Sequence, residues 1–85
     1  MNWAAFYLEV ERMRTYLRMW YNSEGANPVI VAEKLHSMGF KAIKGQYDYV
    51  YDWGREVELE DILQIMIAVH ETLKGLKVSY KLETM

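Results

Sequence analysis

Hydrophobic and polar positions alternate most strictly over Lys44-Gly-Gln-Tyr-Asp-Tyr-Val-Tyr-Asp-Trp-Gly54. An extended strand over 47–53 puts Tyr47, Tyr49, Tyr51 and Trp53 on one side and Asp48, Val50 and Asp52 on the other. Aromatic and β-branched residues favour that conformation. Phe40-Lys-Ala-Ile-Lys44 predicts a short strand before it, and Gly45-Gln46 a tight turn that makes the two a hairpin. Near the other end Val78, Tyr80 and Leu82 alternate with Lys77, Ser79, Lys81 and Glu83, the pattern of a half-buried strand.

Two segments switch to the helical period. Over 28–38, Val31, Leu35 and Met38 share one face. Asn27 suits the N-cap, Pro28 the first helical position and Gly39 the left-handed stop. Over 58–74 the inward stripe is Leu59, Ile62, Met66, Val69 and Leu73. Glu58, Glu60 and Asp61 complement the positive helix end, Lys74 complements the negative end, and Gly75 terminates the helix. Ile65 and Ile67 fall outside that stripe. A helix apolar on two sides is deeply buried or covered by a partner, and a chain this short points to the partner.

The N-terminal third is ambiguous. Residues 3–10, Trp-Ala-Ala-Phe-Tyr-Leu-Glu-Val, fit a central strand covered on both faces. They also fit a helix, with Trp3, Phe6, Val10, Met13, Leu17 and Trp20 on one seam. Residues 11–21 read as helical on either view, with Arg14, Arg18 and Tyr21 on one face and Met13, Leu17 and Trp20 on another. Asn22–Asn27 is a loop. The strand–helix–strand unit over 47–83 requires parallel strands and a right-handed crossover, which leaves a gap for one antiparallel strand. Filling it with residues 3–10 gives an α+β, ferredoxin-like βαββαβ sandwich of one domain, 1–85, with an inserted helical segment near residues 11–27. The alternative is an N-terminal helix packed on a three-stranded sheet.

Gly45-Gln-Tyr-Asp48, the helix after it, and Gly75-Leu-Lys-Val-Ser-Tyr-Lys-Leu-Glu-Thr84 resemble the second half of the effector domain of leucine-responsive (Lrp/AsnC) regulators. The resemblance covers about half the chain. It implies a ferredoxin-like fold, dimerisation and a small ligand, often an amino acid, at a subunit interface. The chain carries no helix-turn-helix domain, its fourth-strand motif is Gly-Leu-Lys-Val, and it has the extra segment at 11–27. Transcriptional regulation is therefore not implied.

Composition narrows the function classes. The chain of 85 residues is 52% apolar and 14% aromatic, which is a packed domain. A chain of this size buries roughly 60–65% of its unfolded surface, so its core must be fully used or helped by association. Ten basic against twelve acidic residues, net −2, give no long-range attraction for nucleic acid or an anionic membrane. The absence of cysteine removes disulfides, thiol catalysis and cysteine metal sites. No run approaches the roughly 20 apolar residues of a membrane span, and Met-Asn-Trp is no secretory leader, so the expected setting is cytoplasmic.

Candidate chemistry is sparse. Asp48 and Asp52 lie about 13 Å apart along a strand, too far to share a proton or a metal. His36 and His70 sit on different helices with no ligand at metal spacing. No catalytic residue, metal or cofactor is expected. The ligand or interface candidates are Trp3, Tyr7, Tyr47, Tyr49, Tyr51, Trp53 and Ile65, because Tyr and Trp bury area while keeping a polar tip. The four on the aromatic strand also serve as core beneath the helices. Arg12, Arg14 and Arg18 with Tyr16, Trp20 and Tyr21 form the only basic-aromatic cluster, with Arg12, Arg14, Arg18 and Trp20 the nucleic-acid candidates, although neighbouring Glu9, Glu11 and Glu24 and the net charge oppose that contact. The reading favoured is a non-catalytic, homo-oligomeric binding or regulatory module with a small ligand or protein partner at a subunit interface. The alternatives are a small enzyme with a site shared between subunits, and nucleic-acid binding through Arg12–Tyr21.

Overall fold

The computed structural model describes residues 13–85. In chain order these form β1 (Arg14–Trp20), α1 (Pro28–Ser37), β2 (Lys41–Ala42), β3 (Tyr49–Asp52), α2 (Leu59–Leu73) and β4 (Ser79–Thr84). The fold is α+β: a four-stranded sheet in the order β2-β3-β1-β4, every neighbouring pair antiparallel, with two helices. Thus β1 is parallel to β2 across β3, and β3 is parallel to β4 across β1.

The antiparallel strand expected between the third and fourth strands is present, but a different segment supplies it. Residues 14–20, expected to be helical, are the central strand β1, so the helical insertion at 11–27 and the three-stranded alternative are both set aside. Arg-Thr-Tyr-Leu-Arg-Met-Trp satisfies two periods at once. Met13, Leu17 and Trp20 fit a helix seam, while Thr15, Leu17 and Met19 alternate and are all buried. Isolated periodicity cannot separate the two. Pairing on both sides does, because Thr15 through Trp20 ladder onto β4 while Arg14 through Leu17 ladder onto β3. Only the loop 21–27 separates β1 from α1. The strand expected over 3–10 lies outside the described residues.

The helices form where their caps and periods place them. Asn27 Oδ1 accepts the Val29 N–H at 2.8 Å at the start of α1. Gly39, at φ 103°, lets the chain reverse into β2 where a side chain would be strained. At the start of α2 the Asp61 carboxylate accepts the Glu58 N–H at 3.1 Å. Val31 and Leu35 from α1 and Ile65, Val69 and Leu73 from α2 pack against Leu17, Met19, Tyr49 and Phe40. Both helices therefore cover one face of the sheet, the face of Thr15, Leu17 and Met19.

The aromatic strand is shorter than its alternation. The hairpin loop runs through 43–48 instead of a two-residue turn. Tyr49 is in the core, and Tyr51 and Trp53 pack against it. Tyr47 is on the opposite face, its ring 5.1 Å from that of Tyr16 and its hydroxyl donating to the Glu83 carboxylate. The alternation breaks at Asp48, whose carboxylate accepts the Met19 N–H at 2.7 Å. A side chain thus takes a ladder position, and Tyr47 falls outside the strand.

Candidate interaction surface

The inward stripe of α2 is shifted from the expected one. Ile65 is 9% exposed and belongs to the core, whereas Leu59 and Met66, expected inside, are 68% and 42% exposed. The core stripe is Ile65, Val69 and Leu73, with Ile62 half-buried. A second apolar stripe, Leu59, Leu63, Met66 and Ile67, faces outward. Ile65 is therefore removed from the interface candidates, and its place is taken by residues on either side of it. Two stripes offset by a single residue compete for the inward position, and packing on Leu17 and Tyr49 decides between them.

The outward stripe forms one wall of a groove. Leu63, Met66 and Ile67 line it from α2, and Tyr80 and Leu82 line it from β4. Its volume is about 460 Å³, within the range of small-molecule sites, and its polar groups are His70, Glu71 and the Tyr80 hydroxyl. β4 is an edge strand of the sheet. Arg14 and Met85 exchange backbone hydrogen bonds at 2.9 and 3.0 Å, so the odd residues of β4 direct their backbone groups towards β1. The N–H and C=O groups of Tyr80, Leu82 and Thr84 therefore point away from the sheet. Among the described residues, a strand edge without a partner strand thus lies beside an exposed apolar helix face.

The face of the sheet that the described elements leave uncovered is the second surface. β1 places Arg14, Tyr16, Arg18 and Trp20 there, flanked by Lys41 and Val50 on one side and by Ser79, Lys81 and Glu83 on the other. The Arg18 guanidinium lies 5.1 Å from the Trp20 ring centre, and Arg14 pairs with Asp52 at 3.7 Å. Arg14, Arg18 and Trp20 are thus brought together as the sequence grouped them, on a strand instead of a helix. Tyr16 joins them.

Of the other candidates, Trp3, Tyr7 and Arg12 lie outside the described residues. Tyr49 is buried in the core, and Tyr51 and Trp53 are half-buried and pack against it. The cause is the need of the two helices for a filled sheet face beneath them. Asp48 and Asp52 also have structural contacts, Asp48 with the Met19 N–H and Asp52 with the Gly54 N–H at 2.9 Å. His36 lines a separate groove with Val29 and Phe40 near β2, while His70 lines the α2–β4 groove. Among the described residues no three His, Cys, Asp or Glu side chains converge on a metal position, and no helix is long and apolar enough to cross a membrane.

Tyr21 is held above the ordinary tyrosine range, first by burial around its hydroxyl, then by a hydrogen bond with Tyr49 and by the negative charges of Tyr49 and Asp48.

No protein-family model, curated protein or solved structure matches the chain.

Proposed function

We propose that this protein is a non-catalytic binding or regulatory module of ferredoxin-like fold, working as an oligomer, with its ligand or partner site where subunits meet. The strand order β2-β3-β1-β4, antiparallel throughout, supports the fold. The observation that carries the functional reading is the coincidence of the outward α2 stripe with the free β4 edge. Leu59 and Ile67 are more than 60% exposed, and a contiguous apolar surface of this kind on a small domain marks an interaction site. The groove between α2 and β4, with His70, Glu71 and Tyr80 along an apolar wall, suits a small ligand closed in by a neighbouring subunit. The resemblance of the second half of the chain to leucine-responsive effector domains points the same way. The test is Leu63→Glu with Ile67→Glu. The doubly charged stripe should give a folded monomer by light scattering. A variant that keeps the wild-type assembly would sink the reading.

A second reading has its own observation. Tyr16, Trp20, Arg14 and Arg18 on an open sheet face combine stacking surface with positive charge, as single-strand binders do. Asp52 and Glu83 on the same face and the net charge of −2 oppose it. Titration of a single-stranded oligonucleotide at several salt concentrations distinguishes the readings. Binding that weakens steeply with salt supports contact with phosphates, and its absence removes them.

A further inference from the structure

We infer that the occupant of the β4 edge is β4 of a second copy of this chain, paired antiparallel about a twofold axis at Leu82. The inference rests on the oligomeric reading above and names its partner and register.

Among the described residues the two edge strands of the sheet have no outer partner, and they are unequal. β2 is two residues long, Lys41–Ala42, and offers little to pair with. β4 is six residues long, and Tyr80, Leu82 and Thr84 direct their backbone groups outward. In a twofold antiparallel pair, facing residues must share a sheet face, so the axis passes through a residue, and the inner positions of β4 offer four registers, at Tyr80, Lys81, Leu82 and Glu83. An axis at Lys81 or at Glu83 sets that residue against its own symmetry mate, and like charges directly opposite are unfavourable. An axis at Tyr80 extends the ladder to Lys77, whose φ of 56° takes it out of the extended conformation. An axis at Leu82 avoids both problems. Leu82 exchanges both backbone hydrogen bonds with its mate, and Tyr80 does the same with the mate's Thr84. On the uncovered face, Lys81 meets the mate's Glu83 and Glu83 meets the mate's Lys81. The alternation Ser-Tyr-Lys-Leu-Glu-Thr is therefore complementary to itself in this register alone.

The same operation places the two α2 helices on one side of a continuous sheet. Leu63, Met66 and Ile67 then face the corresponding stripe of the mate across the joined edge. This is strand addition in which the chain serves as its own peptide, with backbone bonds along the edge and side-chain charge setting the register.

The test uses charge reversal. Lys81→Glu makes this face of β4 wholly acidic, and Glu83→Lys makes it wholly basic. Each variant alone should associate at least about tenfold more weakly than the wild type. Mixed together they should form a heterodimer with near wild-type affinity, since each lysine then faces a glutamate. Because Glu83 accepts the Tyr47 hydroxyl, circular dichroism establishes that Glu83→Lys is folded. A second variant is independent of charge. The chain has no cysteine, so under mild oxidation Leu82→Cys should give a disulfide-linked dimer while Lys81→Cys should not. An assembled wild type whose association ignores both charge reversals, and whose Leu82→Cys form does not cross-link, overturns this register while leaving the oligomeric reading intact. A monomeric wild type overturns both.

Discussion

Thr15 is fully buried in the middle of the sheet and is the one buried polar side chain among the described residues. Its hydroxyl accepts the Trp53 Nε1–H at 2.8 Å and lies 2.8 Å from the Thr84 hydroxyl, tying β3, β1 and β4 together. Thr15→Val keeps the shape but leaves the indole N–H without its acceptor. Denaturant unfolding should show a loss of about 1–3 kcal/mol, the cost of an unsatisfied buried donor. Tyr21 gives a pH dependence. The folded state holds its phenolic proton more tightly than the unfolded chain, whose tyrosines titrate near 10.0. The associated stability is complete below that value and is lost as pH rises through the higher folded value. Urea midpoints should therefore decline above about pH 10, and Tyr21→Phe should make the decline shallower. An unchanged alkaline slope in Tyr21→Phe would contradict this assignment.

At the scale of elements, the loop 21–27 is held to the turn before β4. The Ala26 N–H donates to the Leu76 carbonyl at 3.0 Å. A Cβ on Gly25 would stand 2.7 Å from that carbonyl and 2.9 Å from the Lys77 carbonyl. Both obstacles are backbone, so Gly25→Ala should cost about 1–3 kcal/mol by thermal or denaturant unfolding. A neutral result would mean that the loop and turn separate easily. Both helices were legible in the sequence, because Asn27-Pro28, Gly39, the Glu58–Asp61 turn and Gly75 punctuate strong periods. Strand β4 was legible from its alternation. β1 was not, since Tyr16 and Trp20 are amphipathic and satisfy either period. Its identity depends on pairing with β3 and β4, segments more than 25 residues away in sequence. The interaction surface was half legible. Ile65 and Ile67 showed that α2 is apolar on two sides, but Ile65 belongs to the core. The displacement of Tyr47 depends on Asp48 capping Met19, a contact across the sheet that local pattern does not carry.

At the scale of the molecule, the sheet has one face filled by two helices and one face left uncovered by the described elements. Its longer edge is bordered by the apolar stripe of α2. A domain of this size has little core to spare, and the apolar surface held outside is the ground for the association proposed above. Native mass spectrometry of the wild-type protein tests that claim most directly. The expected spectrum shows a dimer, or a larger assembly built from dimers, with any small ligand seen as added mass. A bare monomer at every concentration, with the α2 stripe open to solvent, would contradict it.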